Sequence, residues 1–144
     1  MSTTSVITPF PSNVTESSLI KVLHSHRNII DALAPGNTSS QYISGNSSMN
    51  GSPCVYHVTA PTPVGTSTYP LTITNLADGV DTLVQPKPPV GKLEIKAKWR
   101  VEKGKLIEDV IIDGNFMTKR MAKGNVEKNH PGKHAELIQK ASCA

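Results

Sequence analysis

Glu108 is the residue with the most chemistry to offer in this chain of 144 residues. In the run from Leu106 to Asp113, Val110 and Ile112 mark the inward face of a strand, and the same parity places Leu106 and Glu108 with them. Asp109, Ile111 and Asp113 then face outward. A carboxylate turned inward is costly to keep charged, so its pKa is expected to rise toward values useful for general acid or base catalysis. Ile107 and Ile111 form a competing apolar set, and a one-residue bulge would send Glu108 outward instead.

The histidines come in two pairs. His24 and His26 lie two apart, so on a helix they point to nearly opposite sides and could not share one ion. One of them could instead face a cavity as a proton shuttle, and Glu108, His24 and His26 are the candidate catalytic residues. His130 and His134 have the four-residue spacing of a zinc helix, but Pro131-Gly132 stands between them and no Glu accompanies them in the zincin manner. No metal site is expected. Tyr56, Tyr69 and Trp99 sit at apolar parity on three strands, where each either finds a partner in a core or orients a ligand from a cavity wall. Met117, Met121 and Gly124 line one face of the last helix, and methionine suits both an irregular pocket and a plain core. Tyr56, Tyr69, Trp99, Met117 and Met121 are the candidate ligand-binding residues. The sequence carries no P-loop, dinucleotide fingerprint, nucleophile elbow or locally supported Cys–His pair, which disfavours covalent chemistry and gives no cofactor to expect.

These residues must be positioned by a sheet and a terminal helix. Lys92 to Val101 alternates without a fault, apolar at Leu93, Ile95, Ala97, Trp99 and Val101 and charged between, as a half-buried antiparallel strand does. Glu102 to Lys105 is a turn, Leu106 to Asp113 the returning strand, and Asn115 opens a helix reaching nearly to the C-terminus. Earlier in the chain, Ser5 to Thr8 is a short strand. Asn13 or Thr15 caps a helix carrying Leu19, Ile20, Val22 and Leu23, and a second helical piece buries Ile29, Ile30 and Leu33 until Pro35-Gly36 ends it. A weak strand around Gln41 to Ser44 precedes a loop rich in Ser, Asn and Gly. Strands then follow at Cys54 to Ala60, Ser67 to Asn75 and Val80 to Gln85, with Asp78-Gly79 as a hairpin signal, and Pro86 to Gly91 is a stiff connector. Strands grouped away from their helices indicate an α+β fold in a single domain spanning residues 1–144.

Charge narrows the partners. Up to Pro86 there are two basic and four acidic residues, and from Lys87 onward thirteen and seven. Lys92, Lys96, Lys98 and Arg100 are outward teeth interleaved with Glu94, the pattern of a solvated strand face. Aromatic residues are too few for base stacking, so nucleic acid is a disfavoured partner. Cys54 and Cys143 make neither a disulfide framework nor a zinc site. Sequons at Asn13, Asn37, Asn46 and Asn50 are by-products of Ser/Asn-rich loops, since no basic stretch followed by an apolar run opens the chain. No run reaches membrane-spanning length. A cytoplasmic protein is expected, with a homodimer left open.

The element order resembles the helix-grip fold of the START and birch-pollen-allergen superfamily, often called SRPBCC, and more specifically an uncharacterised fungal family within it. Three places carry the likeness: Leu23-His24-Ser25-His26 leading to Ala34-Pro35; Thr74-Asn75-Leu76-Ala77-Asp78-Gly79-Val80-Asp81 with Lys98-Trp99-Arg100-Val101; and Val126-Glu127-Lys128-Asn129-His130. The resemblance implies a curved antiparallel sheet of six to seven strands wrapped around a long C-terminal helix. It also implies two short helices near the N-terminus and an apolar cavity between sheet and long helix. In family members the helix runs unbroken past the His130 position. Pro131 removes a backbone donor and clashes one turn back, so a kink or restart is expected here, and contacts carried over from later residues are not expected to transfer. Superfamily members bind lipids, sterols or hormones, or act on polyketides as cyclases, aromatases and dehydratases. Fungal relatives of this size can tailor secondary metabolites without a cofactor.

Three functions compete. The first is a cofactor-free cyclase or isomerase of a polyketide-like aromatic substrate, with Glu108 or a histidine taking a proton and a tyrosine or second acid returning one. The product type would be an oxygen heterocycle formed by adding a hydroxyl to an alkene. The second is a carrier for an apolar small molecule. The third is a basic surface, Lys96, Lys98 and Arg100, binding RNA or anionic lipid in a salt-dependent way.

Overall fold

A computed structural model describes residues 2–34, 38–62, 65–86 and 92–143. Its elements run β1 (Ser2–Pro9), α1 (Glu16–His24), α2 (His26–Leu33), β2 (Ser39–Ser44), β3 (Pro53–Thr62), β4 (Gly65–Leu76), β5 (Gly79–Val84), β6 (Leu93–Glu102), β7 (Lys105–Gly114) and α3 (Phe116–Ser142). The strands form one seven-stranded antiparallel sheet in the order β1-β7-β6-β5-β4-β3-β2. The long helix α3 rests on β1 and β7 and against α1. This is the helix-grip fold, with two short helices near the N-terminus. None of the described helices is long and apolar enough to cross a membrane.

Local signals account for the elements that hold the site. The β6–β7 hairpin turns at Lys103 and Gly104, both with positive φ (50° and 75°), the geometry that matches strand twist in a two-residue hairpin. From that turn the register runs unbroken from Glu102↔Lys105 to Leu93↔Gly114, and β1 pairs with β7 just as regularly. The alternative of a bulge turning Glu108 outward is therefore not realised. Ile107 and Ile111 are half-buried on the far face, while Leu106, Glu108, Val110 and Ile112 are buried beneath the helices. Asn115 caps α3 by accepting from the Thr118 backbone N–H at 2.8 Å, and Thr15 caps α1 in the same way through Ser18 at 3.0 Å.

The β4–β5 turn falls on Ala77 and Asp78, one residue earlier than the Asp-Gly signal suggests, with Gly79 already paired to Leu76. Gly79 is there for a different reason: a Cβ on it would lie 1.8 Å from the Trp99 carbonyl oxygen of β6. On the outer face Arg100 is held by Asp81 at 2.8 Å and Asp78 at 3.5 Å, so part of the basic stripe is neutralised within the sheet.

Two expectations need correction. Leu33, expected inside, is half-buried and opens onto a hollow described below. The last helix neither stops nor restarts at Pro131 but continues to Ser142. The missing N–H deprives one carbonyl, that of Glu127, of its helical partner. Both residues are exposed, so water can serve that carbonyl, whereas Val126, Leu137, Ile138 and Ala141 bury the helix on either side. Burial outweighs the lost bond. The expected stop at Pro35-Gly36 and the connector from Lys87 to Gly91 lie outside the described residues.

Candidate active site

Trp99 and Glu108 are direct cross-strand partners on β6 and β7, so their side chains stand together on the inner face. Both are fully buried. Across from them, α3 presents His130 and His134, one helical turn apart on the same side. His130 Nδ1 lies 2.7 Å from Glu108 Oε2 and 2.9 Å from Oε1, and His134 Nε2 lies 2.9 Å from Oε1. The Trp99 ring lies against both imidazoles, stacked at 24° on His130 with centroids 6.1 Å apart and tilted on His134 at 5.3 Å. Its indole N–H donates to Thr82 Oγ1 at 3.1 Å.

The protons follow from the partners. A carboxylate only accepts, so His134 donates through Nε2–H and its Nδ1 is an acceptor for the Thr8 hydroxyl of β1 at 3.0 Å. His130 likewise donates through Nδ1–H. Neither ring needs to be charged for this. Burial pushes the Glu108 carboxyl up, but hydrogen bonds from His130 and His134, and then their charges, outweigh it and hold its pKa below the ordinary 4.5. The expected upward shift is thus reversed, because the inward position comes with two donors that favour the ionised form. Glu108 is a fixed anion rather than a proton-carrying acid.

His130 is the member of this cluster with access. Its side chain keeps 13% of its surface exposed, and its Nε2 has no hydrogen-bond partner among the described residues. It lines a hollow of about 580 Å³ between α3 and the open end of the sheet, walled by Leu33, Tyr69, Val84, Leu93, Ile95, Met121 and Val126. Burial pushes the Tyr69 phenol up, so it keeps its O–H. No group of three or more His, Cys, Asp or Glu among the described residues has the geometry to hold a metal ion, and the His130 and His134 nitrogens facing Glu108 are engaged as hydrogen-bond donors.

Of the residues singled out from sequence, Glu108 is beside the hollow through His130, and Tyr69 and Met121 line it. Trp99 lies beneath the imidazoles rather than in the wall. Met117, one turn before Met121 on α3, is exposed and does not line the hollow. His24, His26 and Tyr56 are elsewhere, each hydrogen-bonded within the protein. The His24 Nε2–H is shared between the Leu76 and Gly79 carbonyls of the β4–β5 turn at 2.8 and 3.0 Å. His26 donates Nε2–H to Asn75 Oδ1 at 2.8 Å and accepts the Tyr56 O–H at Nδ1 over 2.7 Å. Asn75 in turn donates to the Ser47 carbonyl at 3.0 Å, so this second histidine network anchors the loop between β2 and β3. His130 is the residue that sequence reasoning passed over. Its signal was the four-residue step from buried Val126 through His130 to His134, hidden by the weight given to Pro131.

Among the solved structures that share the fold are the following three. Ara h 8.0201 superposes with a TM-score of 0.61 at 16% identity, covering 98% of this chain and 95% of that one. The ZhuI aromatase/cyclase from Streptomyces sp. R1128 gives 0.54 at 10% identity, covering 97% and 92%. A protein from Arthrobacter aurescens gives 0.56 at 14%, covering 99% and 87%. At these identities the likeness establishes the helix-grip fold and nothing finer. Among curated proteins there is no significant match. One family profile matches residues 1–143, and the chain belongs to that family, the domain of unknown function DUF7053.

Proposed function

We propose that this protein is a cofactor-free cyclase or isomerase that tailors a polyketide-like aromatic small molecule, acting in the cytoplasm as part of fungal secondary metabolism. The observation carrying this reading is the hydrogen bond from His130 to buried Glu108 at the edge of an apolar hollow. A histidine whose Nδ1–H is fixed on a carboxylate offers Nε2 as a general base, and the carboxylate stabilises the imidazolium that forms. His130 takes the place that sequence reasoning gave to His24 or His26. The substrate hydroxyl gives its proton to Nε2 as its oxygen bonds to an alkene carbon conjugated with a carbonyl. The alkene electron pair moves onto the carbonyl oxygen, where the Tyr69 O–H stabilises it. Imidazolium then returns the proton to the neighbouring carbon, so mass is unchanged and no oxidant is consumed. Holding both ends of the substrate in one hollow removes much of the entropic barrier. All the groups come from one chain, so the reaction does not require a homodimer.

The test is incubation with hydroxylated aromatic polyketides whose alkene is conjugated with a carbonyl, followed by mass spectrometry and chiral chromatography. A product of unchanged mass, new retention and one enantiomer supports the cyclase, and His130→Gln should lower its rate roughly 100- to 10,000-fold. Turnover untouched by both His130→Gln and Glu108→Gln would sink the assignment. A second reading, a carrier for an apolar small molecule, is favoured by the wall itself, which is apolar apart from Tyr69, Thr118, Asn125 and His130. Tight binding with the ligand recovered unchanged would select it.

A further inference from the structure

His130 stands where two hollows meet. Besides the apolar one, a groove of about 440 Å³ runs between the end of α2 and the next turns of α3, and the two share Leu33, Asn125 and His130. The character of the groove is different. Among the described residues that line it, the charged ones are Lys133 and Glu136, which pair with each other at 3.7 Å and cancel. Gly132 leaves it open, since a Cβ there would meet nothing within 4 Å.

Its specific polar feature is an amide pair. Asn125 and Asn129 lie one turn apart, and Asn129 Nδ2–H donates to Asn125 Oδ1 at 3.1 Å. That bond uses one donor and one acceptor. It leaves the Asn125 amide N–H groups and the Asn129 carbonyl oxygen without a partner among the described residues, and exchanging O and N within both amides leaves the same complement. A donor beside an acceptor is the complement of a hydroxyl, which is both.

We infer that Asn125 and Asn129 form a hydroxyl-binding subsite, so that the ligand is a molecule with an apolar aromatic body in the hollow and a hydroxyl-bearing arm in the groove. The inference rests on the ligand-cavity reading above and deepens it. The amides are positioning residues that hold the hydroxyl beside His130 Nε2, the atom that takes its proton. The division explains why one wall is apolar and the other amide-bearing, with the base between them.

Trp99 is the single tryptophan of the chain and lies against His130, so its fluorescence reports binding at the junction. The probes are 4-hexylphenol and 4-hexylanisole, which differ in the hydroxyl. Wild type should bind the phenol about tenfold more tightly, the size of one net hydrogen bond. The double variant Asn125→Leu/Asn129→Leu, at two exposed helix positions, should lose that preference and bind the two probes alike. A preference that survives in the variant would mean that His130 alone reads the hydroxyl, and equal weakening of both probes would mean a general change in the hollow; either overturns the subsite. Equal binding of the two probes by wild type overturns the subsite but leaves the cavity reading standing. Failure of wild type to bind either probe removes both.

Discussion

Glu108 of β7 and His130 of α3 meet across the interface between sheet and helix, 2.7 Å apart at Oε2 and Nδ1. The contact joins two elements that have few other polar links there, and it puts a charge where none of its surface reaches water. Such a charge costs several kcal/mol to bury and persists only where donors surround it. Glu108 has two imidazole N–H groups, one shared between both its oxygens. Removing the carboxylate should therefore be felt in stability as well as in chemistry. Glu108→Leu, which strands both imidazoles, should lower the unfolding free energy by about 3 kcal/mol in urea titrations. Glu108→Gln, which keeps one acceptor, should cost less. Equal midpoints for Glu108→Leu and wild type would show that the cluster does not hold the helix to the sheet.

Acid should lower the stability of the protein in two stages. Burial, helped by the charge of His24 and partly opposed by the hydrogen bond to Asn75, lowers the His26 pKa below the ordinary 6.5. The unfolded chain then binds a proton before the folded one does. The stability held by neutral His26 is fully present above pH 6.5 and is lost as pH falls from 6.5 toward the lower folded value. Glu108, also depressed, contributes stability that is complete above its unfolded value of 4.5 and is lost as pH falls through its folded value. Thermal melts of His26→Gln should lack the first decline, and those of Glu108→Gln the second. A single decline that neither variant changes would contradict both assignments.

The fold was legible where the pattern was local. Alternation in β6, the Lys103-Gly104 turn and the Asn115 cap together fix the hairpin and the start of α3, and with them the inward face of Glu108. What surrounds Glu108 was not legible, because its donors lie 22 and 26 residues away and arrive only when the helix packs. The direction of its pKa shift depended on those partners rather than on burial. His24 and His26 do diverge as their spacing requires, but what each one meets, a hairpin turn or an asparagine, is set by α1 and α2 crossing β4 and β5. Pro131 misled for an energetic reason. Its lost bond falls at an exposed carbonyl, while the hydrophobic contacts on either side keep the helix whole.

The same comparison of local against tertiary cost separates two glycines. Gly124 sits inside α3 on an exposed side, where a Cβ would meet nothing within 4 Å. Alanine there gives up only the conformational freedom that glycine loses on folding, so Gly124→Ala should stabilise the protein by about 0.5–1 kcal/mol. Gly79 has the opposite setting. Its added Cβ would come 1.8 Å from the Trp99 carbonyl oxygen, a backbone atom held in the β5–β6 ladder that cannot step aside. Gly79→Ala must therefore push β5 away from β6, and should cost about 3 kcal/mol, the upper range for overpacking. The displacement would also disturb Trp99, and through it the ring seated under His130. Gly79→Ala should accordingly change the tryptophan emission of the folded protein, whereas Gly124→Ala should leave it as it is. Paired urea titrations and emission spectra of the two variants check both statements, and a Gly79→Ala protein as stable as wild type would show that the close approach to Trp99 does not constrain the sheet.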